Sequence, residues 1–258
     1  WGAAFACDML VAKAFAKLRR KSMLQTATEP IYGGSRVEAV GRNRGGWSDG
    51  SYGSAAADWV RKYGVLLRKD YSTETGNPAH DIRSYSGDRA RNWGNYGCGG
   101  KNDKGKLDKV ARKHPVKTTS QVNNFEDVAA AIAVAKCPVT IASDYGCSMR
   151  RNKYGECRWS GSWGHQMMLA AVRFGKRPAA LCVQSWGPNV ASGPSGDEYT
   201  ENLPPGGTPE AILGCSWWIP AEDVTKICRQ GDSFAFSQVE GWKPDRADWS
   251  KMWGDNYL

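Results

Sequence analysis

The first periodic stretch of the chain is helical. Phe5, Met9, Ala12, Phe15 and Ala16 recur at a spacing near 3.6 residues, and Lys17, Arg19, Arg20 and Lys21 follow, cations that suit a helix C-terminus. This pattern predicts a buried helix over residues 1–21. A second helix is predicted where Ser54 stands as a cap, Ala56, Trp59, Val60 and Tyr63 share a face, and Gly64 fits the left-handed residue past the end. Weaker helical patterns run over residues 81–93 and 106–113, separated by a Cys98-Gly99-Gly100 turn. The clearest helix starts at the cap Asn124, carries Phe125, Val128, Ala129, Ile132 and Ala133 on one face, and stops at Pro138. Beyond Pro138 the period changes. Residues 139–142, 166–174, 179–184 and 233–237 are short apolar or aromatic runs separated by Gly, Pro and Asn, which read as strands, with a short helix over residues 221–228 before the last. The Gly-rich and polar stretch 25–54, with Gly33-Gly34 and Gly45-Gly46 as turn signals, reads as an irregular loop region, and residues 188–214 as a long surface excursion.

These elements imply an α+β fold of two lobes: a helical lobe over residues 1–113, a β-rich lobe with a sheet or barrel over 114–240, and an aromatic tail over 241–258. The first helix is expected to lie centrally between the lobes. Trp242, Trp249, Trp253 and Tyr257 in the tail suggest a surface for a protein partner. With 258 residues, 41% of them apolar and 24% charged, the chain can bury a full core, which excludes a disordered, collagen-like or disulfide-miniprotein reading. The longest apolar run, Val128 to Ala135, falls far short of the roughly 20 residues that span a bilayer, so no membrane partner is expected. The sequence opens on Trp1 inside a helical pattern, and is therefore expected to belong to something longer.

Charge and cysteine usage narrow the chemistry. Lys and Arg total 35 against 26 Asp and Glu, a net charge of +9. This reads either as a solvated basic surface or as a nucleic-acid groove. No helix-turn-helix, finger or RNA-binding signature supports the groove, so no specific nucleic-acid partner is expected. Eight cysteines permit four bridges, but Cys7, Cys137 and Cys182 sit in apolar contexts that suit buried thiols. Reduced thiols fit a reducing cytoplasm or a virion better than a secreted protein. With no Cys-x-x-Cys pair and three histidines, His80, His114 and His165, no metal or other cofactor is expected. His80 and His114 lie in polar segments and read as solvated.

Four motifs occur in a suggestive order. Gly45-Gly46-Trp47 precedes the helix of residues 54–64 and Val65-Leu66-Leu67; residues 125–139 form a helix and strand; Gly164-His165-Gln166-Met167-Met168 opens an apolar strand; Gln184-Ser185-Trp186-Gly187 closes the next. From Trp1 to about Gly187 this order resembles the papain-like cysteine peptidases, which have a central helix, a Gly-Gly substrate-binding turn and a helix in the first lobe. In their second lobe a histidine strand is followed by an Asn-Ser-Trp-Gly motif. The Gly-His-Gln-Met and Gln-Ser-Trp-Gly-Pro variants look more like phage-encoded members. The resemblance implies His165 as catalytic base, Gln184 as the amide that orients it, and an indole at Trp186 shielding that bond. It also implies substrate contacts at Gly45, Gly46 and Trp186, and an extended peptide or protein as substrate.

Two departures matter. The family's nucleophilic Cys, at the start of the first helix, would lie upstream of Trp1, as would the Gln that helps to form the oxyanion hole. Gln184 stands where Asn is usual. Cys7 lies about two turns into the helix and suits a core position better than a nucleophile's; Cys147 and Cys157 flank a basic loop and could pair. Two readings remain open: a cysteine peptidase, or a catalytically silent papain-fold module such as a virion component. A peptidoglycan-cleaving relative is disfavoured by the Gly-Gly and Gln-Ser-Trp-Gly pattern.

Overall fold

The computed structural model describes residues 1–18, 24–41, 49–187, 190–193 and 215–242. Its first half is helical. Helix α1 (Gly2–Lys17) is followed by α2 (Thr28–Gly34), which runs on into a π-helical turn (Ser35–Ala39), and by α3 (Gly53–Lys62). The short α4 (Ser72–Thr75), then α5 (Gly87–Tyr96) and α6 (Lys106–Ala111), complete this half.

The second half is built on strands. These are β1 (Thr119–Gln121), β2 (Val139–Cys147), β3 (Trp159–Arg173), β4 (Ala179–Val183), β5 (Ser216–Pro220) and β6 (Phe234–Phe236). Helix α7 (Phe125–Ala129) continues into a second π-helical turn (Ala130–Val134), and α8 (Ala221–Cys228) follows β5. Among the described residues the strands form one six-stranded sheet in the order β1-β6-β2-β3-β4-β5, and each neighbouring pair is antiparallel. No helix among the described residues is long and apolar enough to cross a membrane.

Successive side chains of a strand point to opposite faces, and β3 uses this to serve two cores. Met167 and Leu169 join a cluster with Val139, Ile141, Trp217 and Ile227 from the sheet and α8, whereas Met168 joins the cluster of α1, α3 and Trp93. Phe236 and Val239 also belong to the helical cluster. Helix α1 therefore lies between the first-half helices and the sheet, as its apolar character predicts, but its buried face only partly follows the predicted stripe: Phe15 is buried and Phe5 half-buried against the core. Ala3, Ala4, Ala6, Cys7, Leu10 and Val11 are buried, while Met9 is 40% exposed and Ala12 and Ala16 face solvent. The small side chains let α1 sit close to its neighbours, so close packing overrides the large-residue stripe.

Other expectations need correction for similar reasons. The stretch read as loop from residue 25 holds α2, because Thr28-Glu29-Pro30 makes a helical first turn and the glycines serve packing rather than a turn. A Cβ on Gly34 would lie 1.9 Å from Trp59 Nε1. Ser54 does not cap α3; the helix begins at Gly53, and the Asp232 carboxylate accepts the Gly53 and Ser54 N–H groups at 2.6 and 2.5 Å. Gly64 does end it, at φ +90°. Strands β1 and β5 escaped the pattern, β5 because Trp217 and Trp218 alternate with nothing polar in a strand buried throughout. His80 is not solvated but fully buried, its Nδ1 bonded to Thr75 Oγ1 at 2.7 Å and its Nε2 3.2 Å from Asp103. His114 is half-buried and stacks on Trp242 at 4.1 Å. Beyond Trp242 the aromatic tail lies outside the described residues.

Candidate active site

The start of α1 meets the middle of β3. Trp1 caps the helix without a side-chain bond, so its first-turn N–H groups need acceptors from elsewhere. Gln166 on β3 supplies one: its Oε1 accepts the Ala3 N–H at 3.1 Å. The approach is close enough that a Cβ on Gly2 would stand 2.6 Å from the Met167 carbonyl oxygen. Trp1 itself is 47% exposed, and its ring leans on Phe5 and Tyr85 at centroid distances of 6.2 and 5.3 Å.

His165 precedes Gln166 and lies opposite Ser143 of β2 in the strand register. Its ring stacks on Trp186 at 4.1 Å and 21°, and Trp163 braces Trp186 edge-on at 5.1 Å. The Nε2 atom is buried and has no hydrogen-bond partner among the described residues. Burial first, and then the positive amino group of Trp1, push the imidazole down to about 4, so it is neutral near pH 7. The Ala3–Gln166 bond and the shared cleft lining of Trp1 and His165 place the beginning of α1 and the histidine at one locus.

Gln184, just past β4, is buried, but it does not meet His165. Its Nε2 donates to the Gly187 carbonyl at 3.2 Å, and its Oε1 accepts the Trp186 N–H. The amide thus folds the Gln184–Gly187 turn upon itself and sets the indole over the imidazole, in place of the direct bond expected from the motif. The longer stem of Gln makes that local closure available. Gly45 and Gly46 lie outside the described residues.

These groups border a cleft of about 1050 Å³. Trp1, Tyr32, Tyr52 and Tyr85 line its helical side, and Ser143, Asp144, Gly164, His165, Gln166 and Trp186 its sheet side. Sequence reasoning missed Gln166, although a polar residue ahead of Met-Met-Leu in a buried strand is itself a signal. It also missed Asp232, which no local pattern ties to α3, 178 residues away from Ser54.

None of the cysteines in this chain is placed to attack a substrate in the cleft. Cys7 is fully buried, and burial followed by the neighbouring Asp8 pushes its thiol well above the ordinary range. Burial likewise pushes Cys147 up to about 12, Cys157 and Cys228 up to about 11, and Cys98, Cys182 and Cys215 upward. Cys147 and Cys157 are both free thiols.

A helical lobe and an antiparallel sheet that meet at the N-terminus of a buried helix, with a histidine facing that terminus across a cleft, define the papain-like α+β fold. No protein-family model matches the chain, and no curated protein matches it. Among solved structures, xylellain, a cysteine protease from Xylella fastidiosa, is 15% identical, with a TM-score of 0.54 over 92% of this chain and 79% of that one. The bromelain protease from Ananas comosus, in complex with the E64 inhibitor, is 13% identical, covering 92% of this chain and 89% of its own, with a TM-score of 0.46. Digestive procathepsin L 3 from the Tenebrio molitor larval midgut is 12% identical over 92% of this chain and 62% of its own, with a TM-score of 0.42.

Proposed function

We propose that this chain is the folded body of a cysteine peptidase that hydrolyses peptide bonds through a Cys–His pair, with His165 as the base and a cysteine in the residues leading into Trp1 as the nucleophile. The observation that carries this reading is geometric: Trp1, at the start of α1, and His165 line the same cleft, and Gln166, next to His165, accepts the Ala3 N–H of the helix's first turn. A residue joined to Trp1 falls beside the imidazole and at the positive end of a 16-residue helix, the setting that lowers a thiol's pKa. Joining that residue also turns the Trp1 amino group into an amide, which removes one cause of the low imidazole pKa, and a thiolate beside the ring raises it further.

The reaction then follows from the groups present. The thiolate adds to the peptide carbonyl carbon, imidazolium delivers its proton to the leaving amine, and a thioester remains. Water, deprotonated by His165, attacks the thioester, and the thiol is released with the new carboxylic acid. Trp186 covers the imidazole and borders the substrate, and Gln184 acts through it by holding the turn. An extended peptide lies in the cleft, with Gly45 and Gly46 offering backbone contacts. One observation favours the second reading, a catalytically silent papain-fold module such as a virion component: the Gln184 amide is turned into its own loop and leaves His165 Nε2 unpartnered.

The full gene-encoded chain decides between them. The peptidase is expected to hydrolyse a fluorogenic peptide library, to lose activity to iodoacetamide, and to fall by about a thousandfold or more in turnover on His165→Ala. Absence of a cysteine in the residues leading into Trp1, or no hydrolysis by the wild type, overturns the peptidase in favour of the module, and full turnover by the His165→Ala variant overturns His165 as the base.

A further inference from the structure

Among the described residues Gln166 is the polar side chain that ties the start of α1 to the histidine strand, and it is neither base nor nucleophile in the reading above. Its environment sets a puzzle. The side-chain oxygen accepts the Ala3 N–H at 3.1 Å, yet Nε2 on the same amide is buried with no partner among the described residues. A buried unpaired donor is costly, so a residue chosen for stability alone would be apolar here. The first turn of α1 explains why the amide is kept. It consists of Gly2, Ala3 and Ala4, all buried, and such small side chains offer little to fix the helix along or around its axis. Trp1, the large residue beside them, is 47% exposed and rests on the aromatic rings of Phe5 and Tyr85. Gly2 lies so close to the strand that a Cβ would stand 3.0 Å from Gln166 Cγ and 2.6 Å from the Met167 carbonyl oxygen. The contact is thus tight but smooth, and the single directional bond across it comes from the residue next to His165.

We propose that Gln166 is a positioning residue. Its bond to Ala3 sets where the N-terminus of α1, and hence the group joined to Trp1, stands relative to the His165 imidazole. This rests on the Cys–His reading, in which the two reacting groups sit on opposite sides of that bond. A displacement of about 1 Å between a nucleophile and its base costs on the order of a hundredfold in rate. The bond therefore governs formation of the thiolate–imidazolium pair, with little effect on how peptide is held along the rest of the cleft.

The test uses the full gene-encoded chain as wild type, Gln166→Met and Gln166→Glu. The rate of iodoacetamide alkylation of the nucleophile is followed against pH by mass spectrometry of the peptide that carries it. Wild type is expected to alkylate with a limb well below the ordinary thiol value of about 8.5. Gln166→Met, similar in volume but without an acceptor, is expected to move that limb toward 8.5 and to slow alkylation at pH 6 about tenfold or more. It is expected to lower kcat with KM nearly unchanged. Gln166→Glu keeps the acceptor and is expected to keep the Ala3 N–H bonded, although its carboxylate, like Asp8 beside Cys7, raises the limb by its own charge. Hydrogen exchange of the Ala3 amide gives a readout independent of activity, protected in wild type and Glu, faster in Met. A Met variant with the wild-type limb and a fast-exchanging Ala3 overturns the positioning role while leaving the Cys–His pair standing, and a Glu variant whose Ala3 amide exchanges as fast as in Met overturns it too. A wild type whose limb lies at 8.5 overturns the Cys–His reading itself.

Discussion

The imidazole of His165 illustrates how a single residue's protonation follows from its neighbours. Its value of about 4 comes chiefly from burial, and the stacked ring of Trp186 is a large part of what keeps water away. Desolvation disfavours the charged form of a base, so rehydrating it must raise the pKa. Trp186→Ala is accordingly expected to move the His165 titration upward toward the ordinary value of about 6.5. Proton NMR of the imidazole Hε1 follows this directly, and three histidines in the chain make assignment by substitution simple. A titration left at its original pH would show that the rest of the pocket, and not the indole, keeps water from the ring. At this scale the site was only half legible. The sequence order brings out His165 and Trp186 because their motifs are contiguous. The actual partners of Gln184 depend on where a side chain one methylene longer than Asn finds its nearest donor and acceptor, which no pattern encodes.

Among the elements, α3 shows how a helix end can be satisfied from far away. Its first N–H groups are taken by Asp232, which precedes β6, at 2.6 and 2.5 Å, and the negative carboxylate also suits the positive end of the helix. Loss of a capping side chain costs about 0.5–2 kcal/mol. Asp232→Ala should fall at the upper end of that range, because two donors are orphaned together, and urea denaturation gives the number. A change below about 0.5 kcal/mol would mean that water or Ser54 takes over the cap. Helix α8, over Ala221–Cys228, was legible to the residue because its apolar positions face one way and its ends are local. The N-terminus of α3 was misread because its cap comes from the other half of the chain. Helix α2 was misread because Gly33 and Gly34 serve close packing against Trp93 and Trp59, and so imitate a turn.

At the scale of the whole molecule, periodicity alone conveys the change from helices to strands but not the sharing of cores. Met168 packs with the helices while Met167 and Leu169 pack within the sheet, so one strand is the wall of both compartments. The helical cluster also takes Phe236 and Val239 from the far end of the chain. Neither compartment can open without exposing β3, and the two halves are expected to unfold together. Trp59 lies in one cluster and Trp217 in the other, both fully buried. Tryptophan emission and far-ultraviolet circular dichroism should therefore report one coincident urea transition. Two separated midpoints, with Trp59→Phe and Trp217→Phe each silencing a different one, would show independent lobes.

The burial of the chain's own thiols has a practical consequence for chemical labelling. At pH 7, a thiol with a pKa near 11 presents roughly one thiolate in ten thousand molecules, and Cys157 and Cys228 are in that position, with Cys147 lower still. Haloacetamides react with thiolate, so against the six buried thiols a single activated cysteine beside His165 would stand out as the bright site. Cys137 and Cys215 are only half-buried, so replacing those two alone would let a fluorescent tag report occupancy of the cleft in a crude extract.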